Sequence, residues 1–145
     1  MELRRILEKI EREHRHIKNM LIESTVMILD EGVDIHIKDR DRFIKRVKVF
    51  LSNYMRLVKP HFKYEEKYLF NVLPCEYVEK ISQWNHDHRC ILELLEQAQE
   101  FLALGDVEGL IRTLQTLYII EARHTEEIDS LIKELRKQYI KENDL

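Results

Sequence analysis

Helix breakers are scarce in this chain of 145 residues, which has three Gly and two Pro. So few breakers leave long stretches uninterrupted, which fits an all-helical fold. Cysteine is scarce too. Cys75 and Cys90 have no CxxC spacing and no evident activating base, which excludes a disulfide framework and fits reduced thiols in a cytoplasmic protein. Apolar runs are short, as in Val26–Leu29 and Leu117–Ile120, whereas a membrane span needs about 20 residues. The charged start, Met1-Glu2-Leu3-Arg4-Arg5, reads as helix rather than as a secretory leader. The formal net charge is -3 with both signs interspersed, so no basic face invites nucleic acid. No Gly-rich phosphate loop or free nucleophile–base pair is apparent, which argues against hydrolase and transferase chemistry.

What is abundant is Leu, Ile, Glu, Lys and Arg, a helical composition. Four apolar stripes follow helical periodicity. The first helix is expected from Leu3 to Asp30, striped by Leu7, Ile10, Ile17, Leu21 and Ile28. Gly32 and the polar stretch to Arg40 form a connection. A second helix spans Asp41 to Leu73, with Phe43, Val47, Phe50, Tyr54, Tyr68 and Val72; Pro60 should kink it and Pro74 ends it. The third covers Cys75 to Leu104, and Gly105-Asp106 supplies a turn and an N-cap. The fourth runs from Val107 to Tyr139. Short connections between long amphipathic helices imply an all-α, up-down-up-down antiparallel four-helix bundle over residues 1–140, with a polar tail at 141–145. The second helix also carries Ile44, Val49, Leu51, Met55 and Val58, a further apolar face that would suit a homodimer.

His14, His61, His88 and His124 each take an apolar place on the stripe of a different helix. Imidazole is a metal ligand and rarely sits in a core unpartnered. One such residue is usually a hydrogen-bonded core histidine, but four, one per helix, point to a metal site. Their levels agree. His61 lies 13 residues before Pro74 and His88 13 after Cys75; His88 lies 17 before Gly105 and His124 18 after Asp106. The level of His14 stays open because the first connection hides its register. His16, His36 and His86 fall on polar faces or in that connection and read as solvated.

Carboxylates accompany the four. Glu65 follows His61 at i+4, Glu121 precedes His124 at i−3, and Glu126, Glu127 and Asp129 follow it. Nitrogen and oxygen donors without thiolate favour iron or manganese over structural zinc, and carboxylates in a bundle core can bridge two ions. A ferritin-like scheme would use Glu11–His14 and Glu121–His124 as Glu-x-x-His pairs, yet the third helix offers His88 where that scheme needs a core carboxylate.

The segment His61-Phe62-Lys63-Tyr64-Glu65-Glu66-Lys67-Tyr68-Leu69-Phe70 resembles the HxxxEExxLF signature of hemerythrin-like (HHE) cation-binding domains. Glu13-His14-Arg15, His88-Arg89 and the HxxxxD-like run from His124 to Asp129 extend the resemblance over nearly the whole chain. It implies a non-haem centre of two iron ions, with zinc or manganese as substitutes. His14 and His61 would hold one iron, His88 and His124 the other, with Glu65 and Asp129 as bridges. The chain departs from the family where HxxxH is common, because Trp84 precedes His88 at i−4 and cannot ligate. Glu121 or Glu127 can fill that gap, and Glu127 also rivals Asp129, since i+5 points away from His124 on a regular helix. The resemblance implies reversible binding or sensing of dioxygen rather than turnover. Iron handling, or reaction with peroxide or nitric oxide, is the alternative, and a structural bundle with zinc or no metal the third.

Overall fold

The computed structural model describes residues 2–29 and 37–140. Four helices, α1 (Glu2–Met27), α2 (Ile37–Tyr64), α3 (Val78–Leu104) and α4 (Val107–Leu135), pack in a cycle: each touches the next, and α4 touches α1. No strand occurs among the described residues, and no helix is long and apolar enough to cross a membrane. Gly32, His36 and the tail at 141–145 lie outside the described residues. Helix α2 starts at Ile37, so the end of the expected connection is helical. Its unbroken charged run from Lys38 to Arg42 masks the periodicity that marks a helix.

Helix α2 continues through Pro60 and passes into a π-helical turn, Glu65–Leu69, then a 3-10 turn, Phe70–Val72. A π turn holds more residues than an α turn and so rotates the buried face. Tyr68 and Val72, expected on the stripe, are 37% and 57% exposed, while Leu69 and Phe70 enter the core instead. Between α3 and α4, Gly105 adopts φ 69° as a left-handed C-cap. Asp106 caps α4 by accepting from the Gly109 N–H at 3.0 Å. A Cβ at Gly109 would stand 2.5 Å from the Phe101 ring, so the bare backbone lets α4 begin tightly against α3.

Two apolar clusters fill the bundle. The larger includes Ile17, Phe43, Phe50, Tyr54, Leu95 and Leu114; the smaller includes Leu7, Ile10, Leu69, Trp84, Ile128 and Leu135. Burying each such aliphatic or Phe side chain contributes about 1.5–3 kcal/mol. Leu51 and Val58 of the further apolar face lie inside the larger cluster, whereas Val49 stays 62% exposed. Along α1 and α3 the smaller cluster comes first; on α4 the order is reversed, and α2 likewise carries the larger cluster before the smaller one that follows its end. In sequence, a buried polar set of His14, His61, Glu65, His88, Glu121 and His124 falls where each helix passes from one cluster to the other.

Candidate metal centre

The i+4 spacing puts Glu65 one turn beyond His61, at the first residue of the π turn. Glu65 is fully buried. Its Oε2 lies 2.8 Å from His14 Nε2 and 3.0 Å from His61 Nε2. Its Oε1 lies 2.8 Å from His88 Nε2 and 3.2 Å from His124 Nε2. One carboxylate therefore serves two imidazole pairs, one from α1 and α2, the other from α3 and α4. His14, His61 and Glu65 offer donor atoms close enough to hold one metal ion, and so do Glu65, His88 and His124.

The outer ring nitrogens are also committed. His61 Nδ1 pairs with Glu13 at 2.8 Å, His88 Nδ1 with Glu66 at 2.6 Å, His124 Nδ1 with Asp87 at 3.1 Å and His14 Nδ1 with Asp129 at 2.7 Å. These pairs form a closed ring. Glu13 of α1 holds a histidine of α2, Glu66 beyond α2 holds one of α3, Asp87 of α3 holds one of α4, and Asp129 of α4 returns to α1. A carboxylate at Nδ1 fixes the ring and aims Nε2 at the centre. Lys9, Lys18 and Arg123 in turn clamp Glu13, Asp129 and Asp87. Phe62 stacks on His88 with ring centroids 4.0 Å apart, and Phe70 stacks on both His88 and Trp84.

Charge follows from this packing. Burial opposes ionisation of Glu65, yet the His61 charge and hydrogen bonds from His124 and His14 hold its carboxyl well below the usual range. Burial also opposes charged imidazoles and is again outweighed. Asp129 and Glu65 raise His14; Glu65 and Glu13 push His61 up to about 9; Asp87 and Glu65 push His124 up to about 10. Glu121 behaves oppositely, since burial raises its carboxyl. The Tyr54 hydroxyl donates to Glu121 Oε1 at 2.8 Å, and burial pushes that phenol well above its ordinary value. Glu121 Oε2 and His61 Nε2 are buried without a hydrogen bond, the latter misaligned with Glu65 despite its proximity. An unsatisfied buried polar atom costs about 1–3 kcal/mol, so two in one polar layer fit a site built around ions.

The other expected carboxylates lie elsewhere. Asp129 meets His14 from outside, through Nδ1, and also accepts from Lys18. Glu127 is exposed and accepts from Trp84 Nε1 at 3.0 Å. Glu126 is exposed, and Glu11 pairs with Arg136, so no Glu-x-x-His site forms on α1. His16 and His86 are exposed. Cys90 does have a nearby base, because His86 Nε2 lies 3.3 Å from its sulfur one turn away. Sequence reasoning missed Asp87, Glu66 and Glu13 as partners of the imidazoles. The signal was there in paired form: an acid directly before His14 and His88, and an acid five residues after His61 and His124.

A buried carboxylate shared by two imidazole pairs, drawn from four packed helices, is the layout of a helical-bundle metal-binding domain. The chain belongs to the hemerythrin family: the model of the Hemerythrin HHE cation binding domain matches residues 5–135. Neither the curated proteins nor the solved structures give a match.

Proposed function

We propose that this protein holds a non-haem dinuclear iron centre that binds or senses dioxygen. The observation that carries this is Glu65, whose two oxygens each face a different imidazole pair. His14, His61 and Glu65 hold one ion, while His88, His124 and Glu65 hold the other. Glu121, with its free Oε2, is the reserve carboxylate where Trp84 replaces a fifth imidazole. The donor set of nitrogen and oxygen without thiolate favours iron over structural zinc. A ferrous pair held by these residues would supply reversible electron transfer to a small ligand. Around it, the four outer carboxylates keep each ring oriented, and the two apolar clusters exclude bulk water. The alternating order of those clusters on successive helices supports an up-down-up-down antiparallel bundle.

A second reading, iron handling or reaction with peroxide or nitric oxide, is favoured by Trp84 itself, which leaves one fewer imidazole than the family often has. Anaerobic loading with ferrous ion, with iron per chain and the visible spectrum recorded before and after air, separates the two. Two irons with a reversible oxygen-dependent band support the first reading. Two irons that oxidise irreversibly support the second, and no iron overturns both. The outer ring gives a separate expectation. Asp129→Ala should weaken loading by about 10–100-fold, and Asp129→Asn, which keeps an acceptor for His14, should recover most of it. Glu127→Ala, outside the ring, should change little in the same chelator competition.

A further inference from the structure

Charge is not spread evenly over this molecule. Helix α2 carries nine Lys and Arg against two Asp, and no acidic residue occurs between Asp41 and Glu65, in a chain of net charge -3. Part of that charge rims a groove of about 900 Å³ between α2 and α3. Ile44, Met55 and Leu102 contribute its apolar floor over the buried Leu51, Lys48, Arg56 and Lys59 its basic side, and no acidic residue lines it. These three cations are exposed and make no ion pair among the described residues. From Ile44 to Pro60 the groove follows α2 for about 24 Å, the length of a helix of about sixteen residues.

We propose that this groove docks an acidic amphipathic helix of a partner protein. The partner's apolar residues, at i, i+3 or i+4, and i+7, lie on Ile44, Met55 and Leu102, and its carboxylates face Lys48, Arg56 and Lys59. Methionine suits such a floor because its unbranched chain adapts to the incoming side chains; here Met55 is half-buried against the larger cluster, and the Gln99 amide donates to its sulfur at 3.3 Å. Charge complementarity selects the occupant. A second copy meeting this face symmetrically would set α2 against α2, cation against cation. Nucleic acid would use the cations but has no need of an apolar floor. An acyl chain needs enclosing walls, and this groove is open to solvent rather than enclosed. The proposal does not depend on the metal centre.

The probe is a synthetic helical peptide of sixteen residues with Leu at the docking positions and Glu on its polar face, alongside a counterpart with Lys for every Glu. The expected result is binding of the acidic peptide alone, with amide shifts at Met55 and Leu102. Lys48→Glu with Arg56→Glu should weaken it at least tenfold, while Lys45→Glu, on the same helix outside the groove, should not. Circular dichroism and melting check the fold. Lys48→Ala and Arg56→Ala repeat the test, with a smaller loss expected, should the Glu variants not fold. No binding at millimolar peptide, equal binding of the Lys counterpart, or equal weakening by Lys45→Glu overturns the proposal. So does preferential binding of phosphatidylglycerol vesicles or duplex DNA through the same cations.

Discussion

Glu65→Ala should empty both halves of the centre in one step, whereas His88→Ala should empty only one. Glu65 is the residue common to the two candidate ion sites, with Oε2 toward His14 and His61 and Oε1 toward His88 and His124. Losing His88 leaves His14, His61 and Glu65 Oε2 intact. Losing Glu65 leaves two imidazoles on each side and no carboxylate common to both. The same substitution acts on folding. Glu65 is the buried counter-charge to imidazoles that carry protons at neutral pH when no ion is bound. Removing one partner of a buried charged set costs about 3–5 kcal/mol, so the metal-free variant should melt well below the parent at pH 7. Metal analysis after anaerobic loading reads the first effect and thermal melts read the second. If Glu65→Ala kept both ions, the shared-carboxylate arrangement would be wrong.

Loading should strengthen steeply between pH 6 and pH 8, while the metal-free protein should lose stability as pH rises further. His61 is raised to about 9 and His124 to about 10. Below those values an ion must displace a proton from each imidazole it uses. Each displaced proton makes apparent affinity rise about tenfold per pH unit. For folding the sign is the reverse. A pKa raised above the unfolded value of about 6.5 means that the folded chain binds more protons than the unfolded one. The stabilisation is therefore full below about pH 6.5 and disappears as pH climbs through about 9 and about 10. Glu65 works the other way. Its lowered carboxyl stabilises the fold above the ordinary carboxylate range and ceases to do so as pH falls through its folded value. Melts of chelator-treated protein should thus peak on the weakly acidic side of neutrality and decline by several degrees toward pH 10. A flat profile above pH 6.5 would show that these imidazoles are neutral in the folded protein.

Several features of the centre were legible from spacing alone. Four histidines fall on four stripes, and His61, His88 and His124 have matching distances to the two later turns; that His14 shares their level is seen only where it meets Glu65. Glu65 was legible because i+4 is a property of one helix. Tyr68 and Val72 were not, since a single π turn shifts the phase of everything after it and the sequence carries no mark of that turn. Asp129 shows the limit most clearly. Its five-residue step from His124 does point it away from that residue, and what it meets instead is the outer nitrogen of His14, a residue 115 positions earlier.

By itself, then, the amino-acid sequence determined the four helices, the stripe that each buries up to the π turn after α2, the caps at Gly105 and Asp106, and the residue types gathered at the centre. Those follow from local periodicity and from the cost of burying imidazole and carboxylate without partners. Only the tertiary structure decided which nitrogen of each imidazole faces inward, which acid holds which ring, and which cations of α2 border an apolar groove. Each of these depends on how far one helix is rotated and shifted against its neighbour, and side-chain packing across the whole bundle sets that rotation.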